Sequence, residues 1–309
     1  MFWYVLSLIG AIADAGYYIA VKKFLQTADP VILASGGYTC CGIILLIVSW
    51  IRGFPAIGHD FYGALFASSV LGICAVLLSF ASLRSTDISL AVPMISFTPL
   101  FLIVTAFIVL HETPSSMGIA GIVTIVAGSY VLNISSPQKG WSDPFRSIAK
   151  NRGVLYMLIV SLLYAVAINF DKIIVTNSDP VVGSSVTCIV LGLSFAGISG
   201  FGGLRNRVVP VITPAPGAPS DRYEKTAAIP LKNSITEWIV VGTLVCISAV
   251  TINTAYTMQI VPYVIALKRM SIIITVLYGG FIAGEEDVTT RLSGALLMVA
   301  GAVLIVLFN

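Results

Sequence analysis

Ten apolar runs of about 18 to 24 residues follow one another along this chain. They fall at about 3–22, 31–51, 62–83, 89–110, 116–134, 153–173, 182–200, 235–257, 261–283 and 291–308. At about 1.5 Å per residue, each is long enough for a helix to cross roughly 30 Å of hydrocarbon. The composition agrees: of 309 residues, 57% are hydrophobic and 10% charged, and the mean hydropathy is +0.98. Backbone groups in lipid must find their hydrogen bonds within the segment, so the expected fold is an all-α integral membrane protein of ten transmembrane helices. "MFWYVLSLIG" has neither a basic leader region nor a small-residue cleavage site, and reads as a retained first span.

Several function classes drop out. The net charge of +3 is small and spread over loops, and no basic run carries interleaved aromatics, so nucleic acid is not an expected partner. Cys40, Cys41, Cys74, Cys188 and Cys246 all lie inside spans and form no CxxC pair, which leaves no metal site or cofactor to expect. The signatures GxxxxGK[ST], HExxH and GxSxG are missing, which argues against ATP drive by this chain and against an intramembrane enzyme. The partners left are the bilayer and a small-molecule substrate, and the sequence is compatible with a homodimer.

The chain repeats itself. At an offset of 150 residues "AVKKFLQTADPV" aligns with "FDKIIVTNSDPV", so that Lys22 meets Lys172 and Asp29-Pro30 meets Asp179-Pro180. At an offset of 173, "HETPSSMGIAGIVTIVAG" aligns with "GEEDVTTRLSGALLMVAG", matching Glu112 to Glu285, Gly121 to Gly294 and Gly128 to Gly301. The difference of 23 residues is the excess of the 201–233 loop over its counterpart at 52–61. The expected organisation is a first five-helix repeat over 1–135, a linker over 136–152, and a second repeat over 153–309 that contains the inserted loop 201–233. Five spans per repeat is odd, so the second repeat lies inverted relative to the first, a layout used by secondary transporters.

The layout and two stretches resemble the drug/metabolite transporter superfamily, in its EamA-like ten-helix branch. The stretches are "LHETPSSMGIAGIVTIVAGSYVL" and "LKRMSIIITVLYGGFIAGEEDVTTRLSGALLMVAGAVLIV". The resemblance implies a secondary active transporter working by alternating access through a central cavity, with the substrate unspecified. Phosphate-translocating members use a Lys-Arg pair at the place similar to Lys268-Arg269, which implies substrate binding by those two residues. Those members also use a lysine from the fourth span, and "SLAVPMISFTPLFLIVTAFIVL" has none. A flippase or exchanger for a phosphorylated or lipid-linked substrate is therefore the second reading.

Of the 17 lysines and arginines, all but Arg52, Lys172 and the Lys268-Arg269 pair fall in loops after odd-numbered spans. The positive-inside rule then places both termini outside a cell membrane crossed many times.

An ionisable group inside hydrocarbon costs several kcal/mol unless a wet cavity or a partner receives it, which makes each such residue a candidate. Asp14 sits at the centre of span one, Asp171 and Lys172 near the end of span six, and Lys268 with Arg269 inside span nine. Neighbours on a helix point about 100° apart, so one of the pair is expected to face the cavity while the other meets an acid. A purely structural ion pair with Asp14 or Asp171 is the competing reading; both hold if substrate exchange breaks the pair. Asp14 and Asp171 are then the ion-coupling candidates. Tyr18, Asn169, Ser96 and Ser271 complete the expected substrate-binding set. Pro93 and Pro99 read as a hinge or cavity wall in span four, or as simple kinks.

Overall fold

The computed structural model describes residues 2–25, 28–86, 91–133, 151–200, 231–283 and 288–308. Nearly all of the expected linker and of the 201–233 loop, with Glu285 and Glu286, lies outside the described residues. The described chain is helical: α1 (Trp3–Phe24), α2 (Pro30–Arg52), α3 (Phe61–Ser85), a 3₁₀ turn (Val92–Phe97) leading into α4 (Thr98–Leu110), and α5 (Ser116–Asn133). Then come α6 (Arg152–Thr176), α7 (Pro180–Gly200), α8 (Leu231–Tyr256), α9 (Val261–Lys268), α10 (Ser271–Ala283) and α11 (Val288–Leu307). Among the described residues each expected run is found within a few residues, with two corrections. The fourth enters α4 through the 3₁₀ turn Val92–Phe97. The ninth is not one continuous helix but two, α9 and α10, joined at Arg269-Met270.

Local chemistry accounts for the boundaries. Asp29 Oδ1 accepts from the backbone N–H of Val31 and Ile32 at 2.9 and 3.3 Å, and Pro30 opens α2. Asp179 does the same for α7, accepting from Val181 and Val182 at 2.7 Å, ahead of Pro180. Both are side-chain N-caps followed by a proline at the one helical position that needs no donor.

The most extensive helix pairings are α5 with α11, α2 with α7, α3 with α6, α1 with α8 and α2 with α8. Glycine makes the first of these possible. A Cβ on Gly121 would lie 2.8 Å from the carbonyl oxygen of Gly301, one on Gly301 2.6 Å from that of Gly121, and one on Gly128 2.7 Å from that of Gly294. Lipid offers no hydrophobic drive for helix association, so this backbone-to-backbone approach supplies the packing instead. Large apolar side chains such as Trp50, Ile51, Phe66, Ile108 and Leu193 stay 61% to 79% exposed and face outward, as a lipid-facing surface requires.

Candidate functional site

A cavity of about 210 Å³ lies between α1, α2, α6, α7, α8 and α9. Four charged residues line it, Asp14, Asp171, Lys268 and Arg269, together with five tyrosines: Tyr17, Tyr18, Tyr38, Tyr164 and Tyr256. It runs from mid-height, at Tyr164 on α6 and Val245 on α8, to the end of the bundle where both helices stop, at Val175 and Tyr256.

The Lys-Arg pair sits where the ninth span tightens. Met270 N donates to Leu267 O at 3.0 Å, and Ile272 N and Ile273 N donate to the carbonyls of Arg269 and Met270 at 3.0 and 3.1 Å. This three-residue spacing is 3₁₀, and it ends α9 at Lys268. The C-terminal carbonyls of α9 carry partial negative charge, a favourable place for cations.

Lys268 and Arg269 have different surroundings. Lys268 Nζ lies 3.0 Å from Asp14 Oδ1, with side-chain exposures of 20% and 10%. Ser271, the first residue of α10, donates to Asp14 Oδ2 at 3.4 Å. Arg269 is 2% exposed, and its Nε has no hydrogen-bond partner. Among the described residues no carboxylate lies within ion-pairing range of it. Asp171 accepts a hydrogen bond from Ser68 on α3. The cavity therefore holds one satisfied ion pair, one carboxylate held by a hydroxyl, and one guanidinium with no carboxylate beside it.

Not every expected residue comes to this cavity. Ser96 is 1% exposed and bonded to Ser129 on α5 at 2.5 Å, away from the cavity wall. Asn169 is buried, donates to Ala165 O at 2.8 Å, leaves its Oδ1 without a partner and does not line the cavity. Ser271 touches it only through Asp14. Pro93 and Pro99 open the 3₁₀ turn and α4, and Pro99 is not a lining residue.

Lys172, next to Asp171, turns elsewhere. It pairs with Glu112 at 2.5 Å and donates to Gln259 O at 3.0 Å, while Glu112 Oε2 accepts from Val261 N at 2.9 Å. The ends of α4, α6 and α8 and the start of α9 are tied at one point. Sequence reasoning also passed over Tyr38, Tyr256, Ser184 and Asn253, whose Nδ2 donates to Ser184 at 2.7 Å on the wall. Their only signal is a polar group inside an apolar run.

The family model described as the EamA-like transporter family matches residues 1–134. Over those residues the chain is similar to the EamA-like transporter family. Its members are membrane transporters of small metabolites, not enzymes. A solved crystal structure shares the fold over nearly the whole chain: it is similar with a TM-score of 0.67 at 15% identity, covering 98% of this chain and 97% of its own. None of the curated proteins compared matches the chain. Among the described residues seven helices are long and apolar enough to span a membrane, and three shorter apolar helices accompany them. The chain is a multi-pass integral membrane protein, all-α among the described residues and EamA-like over residues 1–134.

Proposed function

We propose that the protein is a secondary transporter of a small polar or amphipathic metabolite that bears a negative group. It works by alternating access between two inverted five-helix repeats in the cell membrane. The observation that carries this reading is Arg269. A guanidinium stays charged at any working pH, and one buried without a carboxylate is costly unless a wet cavity and an anionic solute reach it. Its fork of N–H donors suits a carboxylate or phosphate group, and the tyrosine walls suit an amphipathic body.

Three features support the repeat. Helix limits in the second half follow those of the first at offsets of 150 and then 173 residues, to the residue for α4 and α10. The Asp-Pro caps of α2 and α7 match. Exchange of the halves also carries the α3–α6 contact onto α8–α1 and leaves α2–α7 and α5–α11 in place.

Asp14 is the first candidate for coupling. When Lys268 turns toward substrate, Asp14 loses its counter-charge and takes up a proton; Asp171, held only by Ser68 among the described residues, is the second. The test is counterflow in proteoliposomes with a panel of small acids. Saturable exchange that fails in Arg269→Ala but survives in Ser96→Ala is the expected result. Exchange of a substrate lacking any anionic group, undiminished in Arg269→Ala, would overturn the reading.

A further inference from the structure

The two ends of the bundle are not sealed alike. At the end where α8 begins, α2 and α8 interpenetrate: a Cβ on Gly36 would lie 2.1 Å from the Trp238 ring, and one on Gly37 2.6 Å from Val241 Cγ1. A Cβ on Gly242 would in turn meet the Gly37 carbonyl at 2.9 Å. Exchanging the halves turns this α2–α8 seam into α7 against α3, with Thr187 in the place of Gly37 and Ser68 in the place of Val241. That matched contact is slight in the structure. A Cβ on Gly72 of α3 would touch Leu191 of α7 only at ordinary van der Waals distance, 3.4 Å. Thr187 lines the cavity instead.

The lysine ties do not explain the difference. Lys22 donates to the carbonyls of Leu83 and Thr86, and Lys172 to that of Gln259, the residue matched to Thr86. Asn151, just before α6, bonds Thr86, whereas Lys172 lies near the far end of α6. Both ties are made at once at opposite ends, so they do not distinguish one end from the other. The asymmetry lies in the seams.

We propose that this is the conformer facing the Lys172 end, with Gly36 and Gly37 against Trp238 and Val241 as its closed gate. In the opposite conformer that seam parts, and Ser68 on α3 closes on Thr187 on α7. Inverted halves can exchange conformations at little cost because each adopts what the other already has. Closing α3 on α7 would also move Ser68, and with it the hydrogen bond that holds Asp171. The inference rests on the transport reading above.

Cross-linking tests it in a cysteine-free background. Cβ atoms at 37 and 241 would lie 3.2 Å apart, close to disulfide reach. Gly37→Cys/Val241→Cys is expected to cross-link on oxidation without substrate, to stop transport by at least tenfold, and to recover on reduction. Ser68→Cys/Thr187→Cys is expected to cross-link only under turnover, and to stop transport likewise. If the first pair cross-links and transport continues, or if the second cross-links fully at rest, the gate assignment is overturned. Should the first pair not accumulate, Trp238→Ala serves: labelling of Ser248→Cys by an impermeant thiol reagent from the α2 N-terminal side should rise severalfold, and an unchanged rate overturns the assignment. Cross-links are read by gel mobility and need no substrate. Absence of any saturable flux in the reduced protein therefore sinks the transport reading separately from the gates.

Discussion

Spans four and nine have matched helices, α4 and α10, each entered through a tight turn, and opposite chemistry. At the offset of 173 residues the 3₁₀ turn Val92–Phe97 falls opposite Ile265–Met270, where α9 tightens, and α4 falls opposite α10 residue for residue. Span four carries Ile95 and Ser96 at the turn; span nine carries Lys268 and Arg269. Ser96 closes a neutral hydrogen bond to Ser129 inside the packing, whereas Arg269 stands at a cavity wall with an orphaned Nε. The other charges follow suit. Asp14 is opposite Tyr164 and Asp171 opposite Val21. On the proposed repeat, the comparison teaches that the two halves correspond in scaffold and differ in site: two matched turns supply the geometry, and only the one in span nine carries ions.

The largest effect expected from breaking this contrast concerns the ion pair. Asp14→Asn or Lys268→Met alone strands a charge in a poorly solvated place and should cost about 3–5 kcal/mol of stability. The double variant brings the pair close to the neutral state of its counterparts, Tyr164 and Ile95, and should regain most of that loss. Unfolding of detergent-purified protein measures it. A double variant as unstable as either single would mean that the two residues do not depend on each other.

Next is Arg269→Ala, expected to weaken binding of an anionic substrate by about a hundredfold, the loss of a charge-assisted bidentate contact worth about 3 kcal/mol. Arg269→Lys keeps the charge without the fork and should fall between, about tenfold down. Titration by thermal shift or calorimetry separates the three. Equal affinity in Arg269→Ala and the parent would move the site off this residue.

Much of this was legible in the sequence. Apolar runs long enough to cross a bilayer gave the helices, because length and hydropathy are local properties. The Asp-Pro pairs marked matched turns, which the structure shows as helix starts, but the aligned glycines did not say that α5 and α11 meet each other, because a small residue permits close approach without naming the neighbour. The reading of the charges was half complete. That one basic residue meets an acid follows from the cost of a lone buried charge, but which of the two does so depends on the turn at 269–270, and a 3₁₀ step has no signature within "ALKRMSII". Ser96 was drawn toward the cavity by its polarity. A buried serine is equally satisfied by another hydroxyl, and Ser129 is 33 residues away in sequence. Tyr38 and Tyr256 went unremarked because tyrosine in a span packs as readily as it lines water.

If the scaffold is the symmetric part, matched scaffold residues should respond alike. Asp29→Ala and Asp179→Ala each remove two N-cap hydrogen bonds from a proline-led helix and should each cost about 1 kcal/mol. Substrate affinity should stay unchanged in both. Unfolding measurements that differ by more than about 1 kcal/mol between the two would show that the second half has lost the first half's use of this turn.

The smallest effect sharpens the contrast most, since it asks whether the turn in span four has a functional remnant. Ser96→Ala leaves the Ser129 hydroxyl buried without its partner and should cost about 1 kcal/mol, whereas Ser96→Ala/Ser129→Ala removes both polar groups and should come out nearly neutral. Neither should shift substrate affinity by more than about twofold, because no part of that hydrogen bond reaches the cavity. A Ser96→Ala variant that folds normally yet binds an anionic substrate tenfold more weakly would mean that the two turns share the site after all. The charges at 268 and 269 would then be only its stronger half, and the duplication would extend from the scaffold to the chemistry.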